Sequence, residues 1–104
     1  MLDVTPLQSA VDALADRLRA LPQSTLARGS AAEALTLARE LATRAQCIEE
    51  PGREAREIPD AGMFAVGDQV AVAGHDLVEA VRSTGGERDL AAAVELVRGA
   101  AARC

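Results

Sequence analysis

The sequence predicts an all-α fold with a single domain over residues 1–104, an antiparallel four-helix bundle built from two helical hairpins. Three observations support this prediction. Large apolar residues recur at alternating intervals of three and four in four segments, which is the period of one helix face. Glycine, proline and charged residues separate these segments. The chain has no long apolar run, so each helix is amphipathic rather than buried on every side.

The first helix is predicted at about 6–21. Thr5 and Gln8 have the spacing of a capping box, and Pro6 lies where a missing N–H costs nothing. One face then carries the apolar residues Leu7, Val11, Leu14, Leu18 and Leu21. Pro22 ends the helix, and residues 23–29 form a connection with room for one loose helical turn.

The second helix is predicted at about 31–49, where Ser30 and Glu33 have the spacing of a second capping box. Its apolar face is mostly small, because alanine fills most of the positions: Ala34, Ala38, Leu41, Ala45 and Ile48. Small residues on a helix face let a neighbouring helix approach closely.

The segment 50–60 is predicted to be a charged linker between the two hairpins. It contains Pro51 and Pro59 and shows no helical or strand period. Arg53, Glu54, Arg56 and Glu57 give it mixed charge, which suits either a solvated connector or a docking strip.

The third helix is predicted at about 61–83, with an apolar face formed by Met63, Val66, Val70, Ala73, Leu77 and Val81. The run 64–74 could also form two short strands around Gly67 and Asp68. The rest of the sequence has no second strand-like run to pair with it, and an isolated hairpin is marginal in water. The helical interpretation is therefore preferred.

Gly67 and Gly74 lie within this helix, where each glycine costs about 1 kcal/mol relative to alanine. They are seven residues apart and so share a helix face. We expect them to permit close packing against the alanine-rich second helix. A ligand slot or the strand structure are the alternatives.

The fourth helix is predicted at about 87–102, after a turn at Gly85 and Gly86. Glu87 and Asp89 place negative charge in its first turn, where the helix dipole favours it. Because about half of the apolar residues are alanine, with one Phe, no Tyr and no Trp, the core is expected to be thin. A homodimer would bury additional apolar surface.

Composition also restricts the function. A formal charge of −5 argues against nucleic acid and against an anionic membrane surface as partners, because both require a basic patch. The sequence shows no signal-peptide pattern, membrane-spanning run, nucleophile elbow or phosphate-binding glycine loop. It predicts a cytoplasmic protein without a cofactor, whose two cysteines are reduced thiols.

The third helix is the predicted contact surface. Val72 lies opposite its core face and Phe64 near the edge of that surface, so a partner helix would cover apolar side chains there. The predicted interface residues are Phe64, Gly67, Val72, Gly74 and His75. We therefore expect a non-enzymatic interaction module that binds a second copy of itself or another protein.

The alternative is a metal-binding protein or metal-dependent hydrolase. Asp68, His75, Asp76 and Glu79 are the candidate ligands, with Glu54 or Glu57 as additions. The segments 54–57 and 76–79 are similar to the Glu-x-x-Glu and Glu-x-x-Asp pairs with which all-α nucleotide pyrophosphohydrolases hold magnesium. The first of these segments lies in the linker, however, and the second has its acids in reversed order.

Overall fold

The structure is a computed structural model that describes residues 2–104 and is all-helical over that range, with no strand. Its four long helices are α1 (Thr5–Ala20), α3 (Ala31–Glu49), α4 (Val66–Thr84) and α5 (Glu87–Arg103). A short helix α2 (Gln23–Thr25) and a π-helical turn (Leu26–Ser30) connect α1 to α3. The all-α prediction with four helices is confirmed. The strand alternative for 64–74 is wrong, because α4 occupies this segment from Val66 onward.

The third predicted helix begins later than expected, at Val66 rather than at 61, so the linker extends over 50–65. The last part of the linker, residues 60–65, forms turns. The Asp60 carboxylate accepts a hydrogen bond from the Gly62 N–H at 2.8 Å, and Gly62 has a positive φ of 94°. This side-chain turn interrupts the helical backbone and leaves Phe64 in a turn ahead of the helix.

The two predicted capping boxes are absent. Thr5 is already helical, and its N–H donates instead to the Asp3 carboxylate at 3.0 Å. Ser30 has helical φ and ψ values of −61° and −38°, because the π-helical turn runs directly into α3 and leaves no free N-terminus to cap. The Ser30 hydroxyl donates to the backbone carbonyl of Cys104 at 3.4 Å.

The apolar faces predicted from the sequence form the core. Those of α1 and α4 are the most completely buried, and Val94 and Val97 contribute the centre of the α5 face. The largest fully buried side chains come from all four long helices: Leu7, Leu18, Leu41, Leu77, Val11, Val70, Val81 and Val97. None of the helices described in residues 2–104 is both long enough and apolar enough to cross a bilayer.

Each long helix packs mainly on helices of the other predicted hairpin. Helix α4 contacts α3 and α1 most extensively, and α5 packs on α1 and α3. The helices within each hairpin, α1 with α3 and α4 with α5, make few backbone contacts with each other. The structure is thus consistent with a helical bundle.

The antiparallel arrangement predicted for that bundle is not confirmed. Gly67 faces Arg19 and Gly74 faces Val11, so α1 and α4 run in opposite directions. Helices α3 and α4 run in the same direction. The first halves of the two helices lie side by side, because Arg39 on α3 and Gln69 on α4 bind neighbouring carbonyls of the linker. The second halves are also neighbours, because Ile48 on α3 and Ala80 on α4 line one cleft.

The length of the linker explains how α3 and α4 can pack side by side in the same direction. Helix α3 has 19 residues, and at 1.5 Å per residue it is about 28 Å long. An extended chain over 50–65 reaches at most about 50 Å, enough to return along the whole of α3. Gln46 contacts residues 54 and 56 and Arg39 contacts residue 58, which traces this return path.

The two helical glycines do permit a close approach, but to α1 rather than to the alanine-rich α3. A Cβ atom on Gly74 would lie 2.4 Å from Val11 Cγ1, and one on Gly67 would lie 3.1 Å from the Ala15 carbonyl oxygen. Because α4 lies between α1 and α3, its glycine face is turned to α1. The expected partner was therefore wrong.

Candidate interaction groove

An open groove runs between α3, α4 and the returning linker, and we call it the linker groove. Its volume is about 670 Å³. Its apolar surface comes from small and branched side chains, and Val72 on α4 is 64% exposed there. The lining residues are Ala42, Ala45, Gln46, Glu49, Glu50, Arg56, Glu57, Ile58, Pro59, Ala65, Asp68, Gln69, Val72, Ala73 and Asp76.

Two side chains of α3 hold the linker over this groove. The Gln46 amide is 7% exposed and makes two bonds, donating to the Glu54 carbonyl at 2.6 Å and accepting from the Arg56 N–H at 2.9 Å. Arg39 donates to the Ile58 carbonyl at 2.9 Å. These bonds satisfy backbone groups that a linker without its own secondary structure leaves unpaired.

Gln46→Leu is expected to loosen the linker, because it removes both amide bonds and leaves the Arg56 N–H and the Glu54 carbonyl unpaired. The expected loss is about 1–3 kcal/mol in the free energy of the local opening. Hydrogen exchange at the Arg56 amide measures this loss directly. The exposed Gln23→Leu serves as a control and should leave the exchange rate unchanged; equal rates in both variants would contradict the assigned role of Gln46.

Gln69 belongs to the same groove and is only half satisfied. Its Nε2 donates to the Pro59 carbonyl at 2.9 Å, while its Oε1 is buried without a hydrogen-bond partner. A buried acceptor without a donor costs about 1–3 kcal/mol. Because this oxygen is buried, its missing bond is a local cost of holding the linker rather than a contact offered to a partner.

Most carboxylates of the linker groove are paired with arginines. Glu50 pairs with Arg53 and Arg56, at 3.4 and 3.2 Å. Two more pairs tie Glu57 to Arg39 at 3.4 Å and Asp68 to Arg19 at 2.9 Å. These pairs are largely exposed and so contribute little to stability.

Glu49 and Asp76 are different, because no arginine or histidine pairs with either of them in the described residues 2–104. Glu49 is in the last turn of α3, which contains no basic residue. The partial negative charge of a helix C-terminus favours cations there and disfavours a carboxylate. Glu49 and Asp76 therefore have no direct counter-ion in this part of the chain, because Arg53 and Arg56 beside them are bound to Glu50.

The predicted interface residues separate into two groups. Phe64 and Val72 are 72% and 64% exposed, and they are the exposed large hydrophobic residues of the described chain. Gly67 and Gly74 are buried beneath α1 and present no surface to a partner. His75 is exposed, and its Nε2 lies 2.6 Å from the Asp12 carboxylate of α1.

The predicted metal ligands are not brought together, and no group of three or more His, Cys, Asp or Glu side chains suited to a metal occurs within residues 2–104. Asp68 bonds to Arg19, and this bond raises the pKa of the Arg19 guanidinium. Glu79 pairs with Arg82. Asp76 lines the linker groove, apart from the other candidate ligands. The linker acids do not complete a site either, because Glu57 binds Arg39 and Glu54 contributes only its backbone carbonyl to Gln46.

The two cysteines are free thiols outside the linker groove. Cys47 is exposed near the end of α3. Cys104 is partly covered beside Ser30, and burial, reinforced by the charge of Glu33, raises the pKa of its thiol. A raised pKa lowers the fraction of reactive thiolate, so Cys104 lacks the property that a nucleophilic cysteine requires.

No family model, curated protein or solved structure matches the chain. The residues that the sequence did not point to are Gln46, Gln69 and Arg39, which bind the linker. The only signal for them was indirect: a linker with two prolines and no period needs side chains to satisfy its backbone.

Proposed function

We propose that this chain is a non-enzymatic protein-interaction module whose contact surface is the linker groove. The observation that supports this most strongly is the open groove of about 670 Å³ with the exposed Val72 on its α4 wall. Burial of an apolar side chain against Val72 would stabilise a complex, because the free chain leaves this valine in water.

The groove offers contacts of the kinds that protein interfaces use. Alanines, Ile58 and the exposed Val72 supply apolar surface, and Glu49 and Asp76 supply carboxylates without an ion-pair partner in the described residues. Interfaces commonly have such an apolar centre with a polar rim. The metal-binding alternative has less support, because three of its four candidate ligands bind protein side chains instead.

Site-specific photo-crosslinking tests this proposal. A photoreactive amino acid replaces Val72 in the purified chain, which is then mixed with a lysate of the cells that make it and irradiated. The matched control carries the same group in place of Ala92, an exposed residue of α5. We expect a discrete protein adduct from the Val72 position that disappears when excess unmodified chain is added.

The control position should give no such adduct. Equal adducts from both positions, or none from position 72, would contradict the proposal. The test makes no assumption about the charge of the partner. An adduct to a second copy would be distinguished by a mass of two chains and by its persistence in excess unmodified chain.

A further inference from the structure

We infer that the occupant of the linker groove is a cationic segment of another protein, which places an arginine or lysine at Glu49 and Asp76 and an apolar side chain on Val72. The inference rests on the proposed function and adds the chemistry of the partner. It also excludes a second copy of this chain as the occupant of this surface.

The unpaired carboxylates of the groove indicate a cationic partner. Glu49 and Asp76 both line the groove, and neither has a basic partner in the described part of the chain, whereas Glu50, Glu57 and Asp68 each have one. The C-terminus of α3 adds its partial negative charge at the same place. A cation bound there would neutralise charge that the free chain leaves uncompensated.

The position of Val72 indicates that the partner also has an apolar side chain. Asp76 follows Val72 by four residues on α4, so the two side chains are neighbours along one helix face. Val72 is exposed, and the groove beside it is surfaced by alanine and Ile58. A partner that carries an apolar side chain next to a basic one therefore matches both features at once.

Self-association through this surface is disfavoured by symmetry. In a two-fold dimer the same patch lies on both sides of the contact. The arginine that lines the groove, Arg56, already pairs with Glu50, so in the described residues neither copy's groove offers a free cation to Glu49 and Asp76 of the other. Each chain also has a formal charge of −5. Juxtaposed like charges oppose association.

The dimensions of the groove suit a short segment. Its α4 wall extends from Ala65 to Asp76, a rise of about 17 Å at 1.5 Å per residue. About five extended residues cover this distance. Side chains two positions apart point to the same face, so such a segment can present a basic and an apolar side chain to the groove together.

Fluorescence anisotropy with two synthetic peptides tests the inference. In the first peptide arginine and leucine take turns at every second position, with alanine between them, so that both face the same side of an extended chain. The second peptide replaces each arginine with glutamate. We expect the purified chain to bind the arginine peptide and not the glutamate peptide. The affinity should decrease as salt is raised from low to physiological concentration, because screening weakens exposed charge pairs. Equal binding of the two peptides would overturn the inference.

Two charge-matched double variants localise the binding. Glu49→Gln with Asp76→Asn removes both unpaired carboxylates, whereas Glu87→Gln with Glu95→Gln removes the same amount of charge from exposed positions of α5. The first pair is expected to weaken binding about three- to tenfold, the effect of losing two partly exposed ion pairs. The second pair should have little effect. Similar affinities for both variants would show attraction by net charge alone and overturn the inference.

These outcomes are separable from those of the crosslinking test. A specific adduct at Val72 without binding of the arginine peptide would overturn the cationic partner and leave the interaction module intact. Light scattering that finds a dimer of the wild-type chain, dissociated by Val72→Asp but not by Ala92→Asp, would identify a second copy as the occupant and overturn the inference.

Discussion

Gly74→Leu is expected to lower the free energy of unfolding by about 3 kcal/mol or more, because α1 occupies the space that the new side chain needs. A Cβ atom alone would lie 2.4 and 2.8 Å from the two γ carbons of Val11. Gly74→Ala should therefore also destabilise the protein, by about 1–3 kcal/mol, although alanine is the better helix former. Urea denaturation followed by circular dichroism measures both changes.

Gly99→Ala is the matched control for this prediction. Gly99 is also helical, but its nearest contact for a Cβ atom is the end of the Arg103 side chain at 3.4 Å. The substitution should stabilise the protein by about 0.5–1 kcal/mol through helix propensity. Val11→Ala should restore part of the stability lost in Gly74→Ala. A neutral Gly74→Leu would contradict the close contact between α1 and α4.

Leu14→Ala is expected to cost about 2–5 kcal/mol, because Leu14 is 2% exposed and its truncation leaves a cavity in the apolar core. Domains of this size have a total stability of only about 5–15 kcal/mol, so a substantial unfolded population is expected. Thermal and urea denaturation give the size of the loss.

Val72→Ala provides the comparison for Leu14→Ala. Val72 is 64% exposed, and its truncation should change stability by no more than about 0.5 kcal/mol. If the two substitutions had equal effects, the assignment of Leu14 to the core and of Val72 to the surface would be wrong.

The faces of the helices could be predicted from the sequence. The spacing of Leu7, Val11, Leu14 and Leu18 defines one side of α1, and all four are buried. This works because helical period is a local property that any packing partner must respect. The glycines on α4 likewise indicated a close helix contact.

The packing arrangement of the helices could not be predicted in this way. An apolar face shows that a helix is covered, but it does not identify the helix that covers it. Gly74 was expected to meet α3 and meets α1 instead. The hairpin prediction assumed that helices joined by short connections pack together. In the structure the long linker returns along α3, and Gln46 and Arg39 hold it there. These contacts join residues distant in sequence and leave no periodic signal.

In the candidate site, too, local properties could be predicted and tertiary contacts could not. The exposure of Phe64 and Val72 follows from their positions outside the apolar stripe, and both are exposed. The proposed grouping of His75 with Glu79 depended on spacing along one helix. His75 instead reaches Asp12 on α1, a partner that only the tertiary structure supplies.

A titration of the isotope-labelled chain with the arginine and leucine peptide, followed by amide NMR, tests the central claim most directly. We expect shifts concentrated at Glu49, Val72 and Asp76, where the linker groove combines unpaired carboxylates with exposed apolar surface. Amides along α5 should remain unchanged. Shifts confined to α5, or spread evenly over the whole chain, would contradict the assignment of this groove as the binding site.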